Sequence, residues 1–239
     1  MNPRFGYARV SAAGQELTLM YRIITVEREF GSGAAHIASE LARRLGWKLW
    51  DQELTAEIAR VANVAPSAVS ICEERVDSTF QRLVRVFWRG SYERSMHLAH
   101  ATFDPDRMVQ VGKQVMGDIA QRGNCVIVGR GAPYFLRDRS DALHVFLYAP
   151  RAEKLRRIQS QGKNLKDAED LVDTVDRDRR LFIKHYFDAD WPTRSLYHVM
   201  INTVLGDNHV ISLILDTLGM MEREAPRGDS PAQTLLPPG

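Results

Sequence analysis

The sequence predicts an α/β domain: a doubly wound, five-stranded parallel sheet with a helical insertion and an arginine-rich helical segment in its second half. Three observations carry that expectation. Short apolar runs rich in β-branched and aromatic residues alternate with amphipathic helical patterns. Most of the runs do not alternate apolar with polar residues, as expected of parallel strands covered on both faces. The first run passes through glycines directly into a helical pattern, the local signature of a βα unit.

In chain order, the strands are read at residues 22–27 (RIITVE), 47–50 (WKLW), 125–129 (CVIVG), 143–148 (LHVFLY) and 197–202 (YHVMIN). After the first strand, Ile37, Leu41 and Leu45 recur every fourth residue, and Gly46 marks the helix stop. Asp104-Pro105 is a helix start, followed by Met108, Val111, Val115 and Ile119, with Gly123 at the end. After Asp207, the residues Val210, Ile211, Ile214, Leu215 and Leu218 make a last amphipathic helix. The stretch between the second and third strands is too long for a crossover. It carries Phe80, Leu83, Val84, Phe87 and Trp88 on one helical face, and is expected to form a helical subdomain beside the strand C-termini. Ligands of open α/β sheets bind at that edge. Residues 225–239, rich in Pro, Gly and polar side chains, are expected to be disordered.

Bulk properties exclude little but point one way. A length of 239 residues and 44% hydrophobic residues suit one large domain, and a formal charge of +2 gives no global reason for nucleic-acid or membrane binding. No run approaches the roughly 18 apolar residues of a membrane span, and the N-terminus lacks a signal peptide's apolar segment, so a cytoplasmic protein is expected. Cys72 and Cys125 have no metal or disulfide spacing, and Cys125 reads as a buried, inert thiol. His97 and His100, three residues apart, read as a polar helix face rather than metal ligands. Trp47, Trp50 and Trp88 read as packing residues, and Trp191 as an anchor for the return to the sheet.

The segment ITVEREFGSGAAHIA, residues 24–38, is the candidate site. A strand ending in glycines that open a helix leaves unpaired N–H groups at the positive helix end, where a phosphate binds. The same glycines equally suit an ordinary tight βα turn. Set against a Walker A loop, Ala34 occupies the lysine position, Arg28 the first glycine position, and His36 falls where the magnesium-binding hydroxyl follows. Backbone donors remain, and the loop cation and metal hydroxyl are gone. Arg28 either supplies replacement charge or pairs with Glu27 or Glu29.

The run from Ile24 to Leu54, together with CVIVGRGAPYFL, VFLYAPRAEKLRRI, DRDRRLFIKHYF and the strand end INT, resembles the cytidylate kinase-like family over roughly residues 22–218. The resemblance implies the P-loop nucleoside monophosphate kinase fold. It also implies phosphoryl transfer from ATP, with Mg2+, to a nucleoside monophosphate, CMP or dCMP. Gly31, Ser32, Gly33, Ala34 and Ala35 match the phosphate-binding loop, and Arg28 the arginine ahead of it. Asp51 and Arg130 match acceptor-side positions. Arg157 matches a lid arginine, while Lys154 stands where arginine is more usual. Asp176, Arg177, Arg179 and Arg180 resemble the basic segment that closes the lid, with Arg177 and Arg180 taken as catalytic alongside Arg28 and Arg157. Without the resemblance, a solvated helix face is the preferred reading of that cluster. The metal ligands stay unassigned, because Val128 and Gly131 replace the acidic residues of true cytidylate kinases. On this reading residues 1–20 form an extension, 21–224 the domain, about 52–122 the acceptor-side insertion, about 151–190 the lid, and 225–239 the tail. ATP and the monophosphate are the expected partners, with no nucleic acid or membrane and with a homo-oligomer left open.

The missing loop chemistry keeps a second function in play, a non-catalytic nucleotide-binding or sensor protein on the same fold. Residues 5–17 (FGYARVSAAGQEL) separately resemble the opening strand of serine recombinases, with Ser11 at the nucleophile position. The rest of the chain does not read as that fold, so a chance likeness or remnant is the preferred account.

Overall fold

In the computed structural model, residues 20–61 and 105–224 are described. The recombinase-like stretch with Ser11, the residues Cys72, Phe80, Leu83, Val84, Phe87, Trp88, His97 and His100, and the C-terminal tail lie outside them. The elements are β1 (Ile23–Arg28), α1 (Ala34–Leu45), β2 (Lys48–Trp50), α2 (Gln52–Val61), α3 (Pro105–Arg122), β3 (Cys125–Val128), the single turn α4 (Ala132–Phe135) and β4 (Ala142–Tyr148). They continue with α5 (Arg151–Ser160), α6 (Leu165–Phe187), β5 (Val199–Asn202) and α7 (Asp207–Glu224).

The five strands are all parallel and lie in the order β2-β3-β1-β4-β5. The central strand β1 is buried along its whole length, which is why its sequence shows no alternation. On one face Ile23, Ile127 and Phe146 pack with Leu54, Ile58, Met116, Ile119, Phe182 and Trp191 from α2, α3, α6 and the segment after α6. On the other, Ile24, Val26, Val128, Val145 and Leu147 pack with Ile37, Leu41, Val210, Ile211 and Ile214 of α1 and α7. Each fully buried Leu or Ile contributes about 1.5–3 kcal/mol by leaving water. Trp47, Trp50 and Trp191 are core residues, as expected, and Trp191 meets Phe146 edge-on at 5.4 Å. Cys125 is buried with its thiol pushed up to about 12 by desolvation, which keeps it unreactive.

The end of α1 follows the predicted punctuation. Gly46 closes α1 in the left-handed conformation, its N–H donating back to carbonyls of the last turn. Helices α5 and α6 form a hairpin around a small core of Ile158, Ala168 and Val172, and Phe30 from the glycine loop packs into it. The N-cap of α6 is Asn164, whose side-chain oxygen accepts the Asp167 N–H at 2.9 Å. No helix among the described residues is long and apolar enough to cross a membrane.

One buried polar pair makes the fold acid-sensitive. The Thr25 hydroxyl and His144 Nδ1 are 2.7 Å apart, and the His144 N–H donates to His198 Nδ1 at 2.9 Å. Burial first, and neighbouring His198 second, hold His144 down at about 4. An imidazole in the unfolded chain titrates near 6.5, so between those values only the unfolded state binds the proton. His144 therefore contributes fully above about pH 6.5, and its contribution is lost as pH falls towards about 4, up to about 3 kcal/mol in all. Urea unfolding of His144→Gln at pH 7.0, 5.5 and 4.5 is expected to show a flatter loss of stability than the parent protein. Parallel curves would contradict the assignment.

Candidate functional site

The glycine loop runs from the end of β1 into α1, and its shape follows from local chemistry. Gly31 and Gly33 hold φ of 76° and 81°, which side chains with a Cβ rarely adopt. The Glu29 N–H donates to the Leu147 carbonyl at 2.9 Å, and the Ser32 N–H to the Glu29 carbonyl at 3.3 Å. The Ser32 carbonyl accepts from the Thr203 hydroxyl at 2.7 Å and from an Arg157 guanidinium nitrogen. A trans peptide opposes its C=O and N–H, so anchoring that carbonyl fixes the Gly33 N–H on the opposite side of the peptide. Gly33 brings no capping side chain to the start of α1, and the first amides of a helix have no partner within it. Ser32 is itself buried, with an Oγ that has no hydrogen-bond partner.

Beside the loop, three buried arginines converge. Arg28 ends β1, Arg130 follows β3, and Arg179 reaches in from α6. Arg28 Nη1 lies 3.8 Å from Glu27 Oε1, and Arg179 Nη1 donates to the Arg28 carbonyl at 2.8 Å and to Asp176 Oδ1 at 3.1 Å. Burial is the largest influence on both Arg28 and Arg130 and lowers each below the usual guanidinium range, Arg130 to about 9. The other arginines push in the same direction, while Glu27 and Asp51 oppose them. Like charges held together out of water create a positive potential that an anion relieves. Arg130 adopts φ 58° between Gly129 and Gly131, themselves at 66° and 70°. Gly129 is required by close approach: a Cβ there would stand 1.6 Å from Arg28 Nη1.

Most of the residues singled out in the sequence meet here. Gly31, Ser32, Gly33, Ala34 and Ala35 form the loop and the first turn of α1, and Arg28, Arg130 and Asp51 act on one another at the strand ends. Arg157 reaches the loop from α5, with its guanidinium donating to Thr203 Oγ1 at 2.8 Å, to the Thr203 carbonyl at 3.1 Å and to the Ser32 carbonyl. Arg177 and Arg180 are not brought to the cluster. Both are exposed on α6, and Arg177 lies 3.8 Å from Asp178. Arg179 takes the inward position instead. His36 is exposed, 3.8 Å from Asp207.

Glu27 and Thr203, both buried, escaped the sequence reading as functional parts; Lys154 and Asp176 were legible only as lid positions, not as buried partners of the loop. A signal existed for one of them. Ala168, Val172, Val175, Phe182 and Ile183 mark the inward face of α6, and Asp176 and Arg179 fall on it.

Comparison with known proteins agrees with the geometry. A model of the cytidylate kinase-like family matches residues 23–204. A cytidylate kinase of Methanosarcina mazei is 31% identical over 124 residues, covering 49% of this chain and 69% of that protein. A cytidylate kinase of Aeropyrum pernix is 32% identical over 125 residues, covering 49% and 70%. Among solved structures, an uncharacterized protein from Eubacterium ventriosum superposes with a TM-score of 0.59 at 19% identity, over 82% of this chain and 98% of that one, and so shares the fold. With three quarters of its length matched and the sheet, loop and arginines in place, this chain belongs to the cytidylate kinase-like family.

Proposed function

We propose that the protein is a phosphotransferase that moves the γ-phosphate of ATP to a nucleoside monophosphate, CMP or dCMP, in the cytoplasm. The observation that carries this is the convergence of Arg28, Arg130 and Arg179, all buried, beside a glycine loop that runs from the end of β1 into α1. Phosphoryl transfer asks a protein mainly for positioning and charge neutralisation. The loop amides hold the donor phosphates, and the Arg28–Arg130 side of the cluster holds the acceptor phosphate. On this reading α5–α6, within about 151–190, cover the donor and exclude water.

The residues present also fit Mg2+. Asp51 follows β2 and Glu27 lies one residue before the end of β1, so both stand at the C-terminal edge of the parallel sheet. No group of three or more such ligands exists among the described residues, and Mg2+ needs only one or two carboxylates besides substrate phosphates and water. Asp51 and Glu27 would hold it, and it would neutralise charge on the transferring phosphates.

Ala34 at the Walker lysine position favours the second reading, a sensor that binds nucleotide without turnover. ADP release with Mg-ATP and a panel of CMP, dCMP, UMP, AMP and GMP separates the two. Turnover with a pyrimidine monophosphate is expected. Thermal stabilisation by ATP without turnover would establish the sensor, and neither effect would overturn both.

A further inference from the structure

A buried carboxylate on α6 organises the glycine loop and two cations together. The Phe30 N–H donates to Asp176 Oδ1 at 2.8 Å. Lys154 Nζ donates to Asp176 Oδ2 at 3.3 Å and to Glu29 Oε2 at 3.0 Å. Arg179 Nη1 donates to Asp176 Oδ1 at 3.1 Å and to the Arg28 carbonyl at 2.8 Å. The Lys154 stem crosses the loop closely: a Cβ on Gly31 would stand 3.0 Å from Lys154 Cβ and 3.2 Å from its Cα. Gly31 thus serves two ends, the loop's positive φ and the approach of α5.

We propose that Asp176 is a positioning residue of the phosphate site, holding Lys154 and Arg179 against the loop as the cations that serve where Ala34 replaces a lysine. The inference rests on the phosphotransferase reading above and assigns what that reading leaves open, the source of positive charge on the donor side. Asp176 and Glu29 balance Lys154 and Arg179, so the cluster is electrically neutral before any phosphate arrives. Burying an ammonium is costly unless it is paired, and here both carboxylates pair it within reach of the loop. Two of the three Nζ donors are used by Glu29 and Asp176. The third is left for a phosphate oxygen, which a flexible four-carbon stem can follow as the nucleotide seats. Asp176 also fixes the loop's entry through the Phe30 amide, while the Phe30 ring is held in the α5–α6 core. One carboxylate therefore sets the loop and the cations in register.

The test compares ligands by phosphate number. Calorimetric titration of the full chain with ATP, inorganic tripolyphosphate and AMP is carried out on the parent protein, Asp176→Asn, Lys154→Met, Lys154→Arg and the double variant. Asp176→Asn keeps an oxygen for the Phe30 amide and loses the charge. It and Lys154→Met are each expected to weaken ATP and tripolyphosphate about tenfold or more, while AMP changes about twofold or less. Lys154→Arg should recover most of the loss, and the double variant should be no weaker than the weaker single variant. A purely structural role would weaken all three ligands alike. If Asp176→Asn fails to fold, the Lys154 variants decide the matter. Unchanged ATP-to-AMP ratios in a parent protein that binds ATP would overturn this inference alone, and a parent protein that binds neither ATP nor tripolyphosphate would overturn the function as well.

Discussion

Arg130→Met is expected to lower kcat/KM for the acceptor monophosphate by roughly 10³-fold or more while leaving the unfolding temperature equal to or above that of the parent protein. The two halves of this expectation share one cause. The Arg130 guanidinium is buried, its positive charge opposed by desolvation and by Arg28 and Arg179 and supported by Asp51 and Glu27. In the unliganded protein that charge is expensive, and methionine of similar length fills the space without it. On the proposed function, the same charge holds the acceptor's phosphate dianion. The backbone tells the same story, because Arg130 is one of few non-glycine residues at positive φ, at 58°. Such strain persists where the surroundings impose it, often at functional sites. Steady-state kinetics with thermal unfolding on the same preparation checks both halves. Lost stability with retained kcat/KM would make Arg130 a structural residue.

Gly129→Ala is expected to cost about 2–4 kcal/mol of stability, which for a chain of this size lowers the unfolding temperature by about 5–15 °C. Part of the cost is the left-handed backbone at φ 66°, unfavourable for alanine by about 1–2 kcal/mol. The rest comes from displacing the Arg28 guanidinium, whose Nη1 would lie 1.6 Å from the new Cβ and whose side chain is buried against Glu27. A double-mutant cycle separates the two contributions. Adding Arg28→Ala to Gly129→Ala is expected to recover the steric part and leave the backbone part. Fully additive losses would show that the guanidinium does not rest on Gly129.

The parts of the architecture legible in sequence were those with local causes. Parallel strands buried on both faces must be apolar throughout, so CVIV and ALHVFLY announce themselves. Glycines at forced positive φ, as at Gly31, Gly33 and Gly46, mark the loop and the helix stop. Arg28, Asp51 and Arg130 were legible because each lies at the end of a strand or within two residues of it, and all parallel strands end on one edge. Residues arriving on helices were harder. Arg177, Arg179 and Arg180 lie within one helical turn, and only the rotation of α6 against the sheet decides that Arg179 points inward while Arg177 and Arg180 face water. Lys154 and Asp176 reach the loop from 125 and 146 residues away, respectively. No local pattern encodes a pairing over that distance. Glu27 was passed over because a carboxylate at a strand end looks like a surface residue until Phe146 and the arginines are seen around it.

The central claim is that the glycine loop and the buried arginines form one phosphate-transfer centre, with donor and acceptor phosphates side by side. A bisubstrate ligand, adenosine and cytidine joined through five phosphates, tests it most directly. Titration with Mg2+ present is expected to give one site per chain, with affinity about 100-fold or more above that of ATP or CMP alone, because one ligand engages both halves at once. Arg130→Met should remove most of that advantage and leave ATP binding nearly unchanged. Binding no tighter than ATP alone, or an advantage indifferent to Arg130, would contradict the account.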